Sequence, residues 1–299
     1  MALWNCEAEA ACSGRLVAVA GVWNVVGQWV IRRLLEKGYR VRSTLCTRPD
    51  EAAELMALKG AEENLELTAA DLLDYGDLTR AFQGCSAVFL TTPSADSLNG
   101  LKEYPADMVE SEVRSTLNVV EACANTISVK RLILTSCAST IVFDSHNINV
   151  GKVVDERCWS NLDFCRENKL WGAVCKTSAE RAAWALARDR GLDLVVINPA
   201  TVVGPLSANT TPNSMISHLK EGKQSAVMAY AHVDEVADAH IRAMENQDAA
   251  GRFLVFHRLL SSKESSELQK SYTNSARVLE SWRCIPLSNQ KFQRLETSV

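Results

Sequence analysis

An alternation limits this chain more than any other feature of its sequence. Between residues 15 and 198, short apolar runs take turns with segments whose apolar residues recur at helical spacing. Leu16 to Ala20 is an apolar run closed by Gly21, which predicts a buried strand. Residues 27–37 predict a helix, with Trp29, Val30, Leu34 and Leu35 on one face and Gly38 as its stop. Further strands are expected at 39–45, 65–69, 86–91, 131–135 and 192–198, and helices at 51–59, 74–82, 107–126 and 170–190. Strands alternating with helices make βαβ units, hence a parallel sheet covered on both faces. The expected fold class is therefore α/β, a doubly wound parallel sheet of the Rossmann type, whose first βα turn bears glycine.

Beyond Pro205 the alternation loosens. Residues 207–214 form a polar, proline-bearing loop, 232–245 predict a helix, 252–257 a short strand, and 260–275 are polar and serine-rich. Three parts are expected: a loose leader at 1–14, a dinucleotide-binding domain at 15–205, and a smaller C-terminal substrate lobe at 206–299.

Composition narrows the function classes. The 299 residues are 47% hydrophobic and 23% charged, which excludes wholesale disorder. The net charge is −4 with both signs interspersed, so no basic field exists to hold nucleic acid or an anionic membrane. No apolar run approaches the roughly 20 residues of a membrane span, and the acidic N-terminus does not read as a signal peptide. The ten cysteines show neither C-x-x-C pairs nor zinc-finger spacing with histidine. Thiols in a reducing, cytoplasmic compartment are expected, and no metal.

The first turn runs from Ala20 to Gly27. A dinucleotide loop wants three glycines, so that the backbone can turn tightly and bring helix N–H groups to a pyrophosphate. Gly21 and Gly27 supply the outer two, and Asn24 stands in the middle. Asn tolerates positive φ, so the loop is expected to keep its shape while the side chains of Asn24 and Trp23 crowd the phosphates. The same residues also suit a plain strand-to-helix turn. Asp71 follows the third strand, where it would take a hydrogen bond from an adenine amino group or cap a helix. Arg42 and Arg48 flank the end of the second strand, where a 2′-phosphate would favour NADP over NAD, or else they are surface cations. Val25, Pro199 and Lys176 complete the expected cofactor contacts. Ser136 and Cys137 close the fifth strand, at the edge where open sheets gather ligands.

Several segments carry a family resemblance. Val153 to Ser160, Leu162 to Cys165, Lys176 to Glu180, Ala183 with Trp184, Asn198 to Pro205, His232 to His240 and Ser288 to Lys291 resemble the plant cinnamoyl-CoA reductase and dihydroflavonol reductase group. That group belongs to the extended short-chain dehydrogenases, and the resemblance spans about residues 15–295. It implies a Rossmann fold, NADPH, and reduction of a carbonyl or thioester in a phenylpropanoid- or flavonoid-type small molecule. It also implies a further helix after the segment matched by 288–291, so the chain is expected to be short at its C-terminus.

The group's catalytic set is Ser, Tyr and Lys, with Tyr four residues before Lys. Tyr gives the proton, Lys assists it and holds the nicotinamide ribose, and Ser bonds the substrate oxygen. Here Lys176 matches the Lys, Gly172 stands where the Tyr should be, and Cys137 where the Ser should be, with Ser136 beside it as a stand-in. No other tyrosine has a lysine four residues on. A lost general acid costs about 10²–10⁴ in rate. The expected protein is a weak NADP-dependent reductase, with water held by Lys176 as a substitute donor. The alternative is a catalytically inactive relative that serves as a binding or regulatory protein. A further reading has the Cys137 thiol, ionised beside Lys176, attack a thioester. The helix at 109–123 offers a face for a homodimer or a protein partner.

Overall fold

The computed structural model describes residues 14–22, 24–45, 49–93, 95, 98–99, 101–144, 154–204 and 228–260. Seven parallel strands form the main sheet: β1 (Leu16–Ala20), β2 (Arg40–Leu45), β3 (Leu65–Ala69), β4 (Ala87–Leu90), β5 (Arg131–Thr135), β6 (Leu194–Pro199) and β9 (Gly251–Val255). Their spatial order is β3-β2-β1-β4-β5-β6-β9. A small second sheet joins β7 (Thr201–Val203), β8 (Met228–His232) and β10 (Arg258–Leu260) in the order β10-β8-β7.

The apolar runs are continuous because the central strands are buried on both faces. Val17 and Val19 of β1 pack with Val30, Ile31 and Leu34 of α1 (Val25–Glu36) and with Val236 and Ala239 of α9 (Val233–Glu245). Ala18 and Ala20, pointing the other way, pack with Leu78 and Phe82 of α4 (Tyr75–Phe82) and Val119 and Val120 of α5 (Ala106–Asn125). Ala183 and Ala187 of α8 (Trp171–Arg190) join that second cluster. Two helical layers therefore sandwich the sheet, as the alternation required.

The long elements stand within a residue or two of their expected bounds. The short helices α2 (Pro49–Met56), α3 (Ala61–Asn64), α6 (Ser139–Val142) and α7 (Leu162–Glu167) complete the described set. The expected boundary at residue 205 is corrected in one respect. α9 and β9 lie beyond it, yet α9 covers the main sheet and β9 pairs with β6 from Val195↔Gly251 to Pro199↔Val255. Residues 1–13, 205–227 and 261–299 fall outside the described set, and with them the expected leader and the segment at 288–291. No described helix is long and apolar enough to cross a membrane. The strand order reverses between β1 and β4, which opens a crevice at their carboxyl ends.

Candidate active site

At that crevice the β1–α1 turn is pressed against the end of β4. Gly21 has φ +78°, and a Cβ on it would overlap the Thr91 carbonyl oxygen. A Cβ on Gly27 would stand 2.6 Å from Thr91 Oγ1. Both outer glycines are thus required by close packing, whatever binds above them. Asn24 corrects the expectation made for it. Its backbone is extended (φ −132°), not left-handed, and it is the N-cap of α1. Its Oδ1 accepts from Gly27 N at 3.0 Å, while Nδ2 donates to Gly21 O at 2.9 Å and Thr91 O at 3.0 Å. Those bonds hold the side chain within the turn. Among the described residues, no acceptor meets the amides of Val25 and Val26, the first two of the helix. Two N–H groups at a helix N-terminus suit a pyrophosphate. Trp23 lies outside the described residues.

Asp71 is exposed, and its Oδ1 accepts from Leu73 N at 2.9 Å, while the neighbouring Leu72 reaches toward Gly21. It follows β3 and precedes Leu72, and the N-cap of α4 is Asp74 instead. Arg42 does not meet its expectation. Its side chain is 16% exposed and runs back under the sheet, bonding Glu66 Oε2, Ala81 O and Gln83 O at 2.8–2.9 Å. A cation at the carboxyl end of α4 is well placed for the helix dipole, and none of this faces a 2′-phosphate. Arg48 lies outside the described residues. Pro199 is buried, and its carbonyl accepts from Ala138 N at 2.9 Å, so it joins β6 to the turn after β5.

Lys176 is buried in α8 and turned into the crevice. Its Nζ donates to Thr92 Oγ1 at 2.6 Å and to Glu112 Oε1 of α5 at 2.7 Å. Gly172, one turn earlier, has no side chain to offer, and the space beside it is taken. A Cβ there would overlap the Ala95 carbonyl oxygen and lie 3.1 Å from Asn99 Oδ1. Asn99 Oδ1 accepts the Gly172 amide at 2.8 Å, capping a helix whose own N-cap, Leu170, supplies no side-chain bond. Trp171 Nε1 donates to Leu101 O at 2.9 Å, the Trp171 ring meets Tyr104 edge-on at 5.3 Å, and Leu98 is buried against Trp171, Val174 and Cys175. The chain after β4 is thereby strapped across the position where a phenol would stand.

Ser136 also departs from its expected role. Its hydroxyl donates to Glu180 Oε2 at 2.6 Å. A hydroxyl has one proton, so Ser136 does not donate to a substrate oxygen in this arrangement. Glu180 is 1% exposed and also takes bonds from Asn198 Nδ2 (2.9 Å) and Arg252 Nε (2.6 Å). Arg252 continues to Thr140 Oγ1 and to the carbonyls of Glu156 and Cys158, with its guanidinium 3.8 Å from the Trp159 ring. The 154–160 segment, part of the stretch that carries the resemblance, is thus pinned onto α8 and β9. Cys137 Sγ accepts from Ser139 N at 3.5 Å. The Lys176 ammonium, already paired with Glu112, no longer supports the reading that it ionises this thiol.

Burial pushes the Cys175 thiol up to about 12, and Cys123 and Cys165 rise for the same reason. The six described cysteines form no disulfide with one another, and no described group of three or more His, Cys, Asp or Glu could hold a metal. His240 is fully buried behind the site. Its Nδ1 lies 2.7 Å from Val236 O and its Nε2 2.7 Å from Thr135 Oγ1. A carbonyl only accepts, so Nδ1 carries the proton and Nε2 accepts from the threonine. Burial pushes its pKa down to about 4, from 6.5. Below pH 6.5 the unfolded chain therefore binds a proton that the folded one does not, and stability falls as pH falls toward 4. Between pH 6.5 and 5 the expected loss is about 2 kcal/mol. Urea unfolding of wild type and His240→Asn across that range checks it; parallel pH dependences for the two would refute it.

Sequence reasoning missed Thr92, Glu112, Asn99 and Arg252, and gave Glu180 no role. Lys176 and Glu180 stand four apart on a helix face otherwise made of small apolar residues, which was a readable sign of a buried polar site. Nothing local marks the other four.

Residues 17–256 match the family described as NAD dependent epimerase/dehydratase. Cinnamoyl-CoA reductase 1 of Petunia hybrida is 42% identical over 259 residues, which is 82% of this chain and 75% of the relative. Vestitone reductase from alfalfa (Medicago sativa) superposes with a TM-score of 0.74 at 30% identity, over 94% of this chain and 91% of its own. Gre2 from Candida albicans, solved in complex with NADPH, has a TM-score of 0.73 at 22% identity, covering 92% and 86%, and bears on the fold alone. The chain belongs to the NAD dependent epimerase/dehydratase family, within its cinnamoyl-CoA reductase group.

Proposed function

We propose that the protein is an NADP-dependent oxidoreductase that reduces a carbonyl or CoA-thioester group of a phenylpropanoid- or flavonoid-type small molecule, slowly for its family. The observation that carries this reading is Lys176. A buried lysine bonded at the end of β4, beside a glycine turn with two helix amides that no described group meets, is what a nicotinamide site needs. The residues present fit a dinucleotide at three points: the Val25 and Val26 amides for the pyrophosphate, Asp71 for the adenine, and Lys176 for the ribose. When bound, the reduced cofactor supplies hydride. Arg42 gives no support for the 2′-phosphate, so a preference for NADP rests on the group. Slow turnover follows from the bare Gly172 and from the Ser136 hydroxyl held by Glu180.

One observation favours a second reading, an inactive relative that binds a metabolite or partner. Ala95 and Asn99 lie on Gly172, where substrate chemistry would need room. A titration with NADPH followed by tryptophan fluorescence, with NADH as control, separates the two. Saturation at micromolar NADPH, followed by measurable reduction of cinnamaldehyde, a hydroxycinnamoyl-CoA or a dihydroflavonol, is expected. No binding up to millimolar cofactor would overturn the reductase reading, and binding without any turnover would favour the second.

A further inference from the structure

Reduction of a carbonyl needs a proton as well as a hydride, and the usual donor is missing here. Gly172 has none, and the Ser136 proton is held by Glu180. Among the described residues, one hydroxyl touching Lys176 remains. Thr92 Oγ1 accepts from Lys176 Nζ at 2.6 Å, and its own proton points to Thr135 O at 3.5 Å. The first bond is short and charge-assisted, while the second is at the outer limit of a hydrogen bond. The proton of Thr92 is therefore weakly held, on a hydroxyl gripped from behind by an ammonium. Thr92 is two residues beyond β4, adjacent to Thr91, which packs against the glycine turn. It thus stands between the cofactor turn and Lys176. Behind Lys176, the Glu112 carboxylate is 17% exposed and so reaches solvent.

We propose that Thr92, Lys176 and Glu112 form a proton relay in place of the absent phenol, with the Thr92 hydroxyl as donor to the oxygen of a substrate aldehyde or ketone. The inference rests on the reductase reading. When bound, the reduced nicotinamide would supply hydride to the carbonyl carbon and be oxidised, the C=O π pair passing to oxygen. The oxygen takes the proton of Thr92 Oγ1 as Thr92 takes one from Lys176 Nζ. The lysine amine is then reprotonated from solvent beside Glu112. Because Thr92 gives and receives in the same step, no threonine alkoxide accumulates. Thr92 touches the reacting oxygen, while Glu112 acts through Lys176 and is a positioning residue.

The test uses the full chain, NADPH and cinnamaldehyde. Thr92→Val keeps the shape and removes the hydroxyl, and Thr92→Ser keeps the hydroxyl. The expected result is a fall in kcat of about 10²-fold or more for Thr92→Val. Its KM stays within about threefold and its NADPH dissociation constant within about twofold of wild type. Thr92→Ser retains at least about a tenth of wild-type kcat, at the mild end of general-acid effects. Glu112→Gln is expected to lower kcat about tenfold with KM within about threefold, and Glu112→Asp to restore most of that loss. A Thr92→Val enzyme that turns over like wild type overturns the relay alone. Equal loss in the Val and Ser variants, or a Glu112→Gln enzyme with wild-type kcat, does so too. A wild type that binds NADPH yet reduces no carbonyl overturns the relay and the reductase reading together.

Discussion

Replacing Glu180 by alanine is expected to cost about 3–5 kcal/mol of folding stability, because it strands a buried guanidinium. Glu180 answers three groups at once: the Ser136 hydroxyl, the Asn198 amide and Arg252. Those partners belong to the end of β5, to β6 and to β9, so one carboxylate ties three strands to α8. Arg252, also buried, would keep its carbonyl acceptors but lose the charge of Glu180. The pair itself is not expected to contribute much beyond an apolar equivalent, since desolvation offsets most of the attraction. The double variant Glu180→Leu with Arg252→Met should therefore recover a large part of the loss. Denaturant midpoints at fixed pH measure both effects. A single variant within about 1 kcal/mol of wild type would show that the buried pair is not as costly to break as its burial implies.

The second large effect is at Gly172, and its sign runs against helix propensity. In an exposed helix, Gly→Ala stabilises by up to about 1 kcal/mol. Here the added Cβ would overlap the Ala95 carbonyl oxygen, and backbone cannot swing aside as the end of a long side chain can. Gly172→Ala is expected to destabilise by about 1–3 kcal/mol net, and Gly172→Tyr by about 3 kcal/mol or more, the range for overpacked sites. Part of the cost is the bond from the Gly172 amide to Asn99, which a displaced strap gives up. Asn99→Ala alone should cost about 1 kcal/mol, the usual value of a lost cap. A Gly172→Ala protein as stable as wild type would show that the strap yields freely. The same geometry bears on any attempt to restore a phenol. Tyrosine at 172 reaches a substrate only after the strap has moved, so restored activity should appear together with lost stability.

Much of the fold was legible because it is written in local patterns. Val17 and Val19 face one layer and Ala18 and Ala20 the other, so β1 reads as an unbroken apolar run, and α1 shows one apolar face closed by Gly38. The seventh strand was seen as an element but assigned to a separate lobe. Its partner, β6, lies more than fifty residues away, and pairing at that distance leaves no trace in spacing. The three strands of the small sheet are short, and β7 and β10 have three residues each, too few for a period to show.

The site divides in the same way. Sequence by itself determined the turn with its two required glycines, the lysine at 176, and the absence of a tyrosine before it, because each of these is an identity at a position. What those identities mean was decided by neighbours brought from elsewhere in the chain. Asn24 is a cap because Gly21 O and Thr91 O are within its reach. Arg42 is structural because the end of α4 lies beneath it. Ser136 turns its proton toward a glutamate 44 residues away, and Lys176 meets Thr92 and Glu112 across 84 and 64 residues. Hydrogen bonds and charges act over a few ångströms of space, and only the folded chain sets which groups come that close.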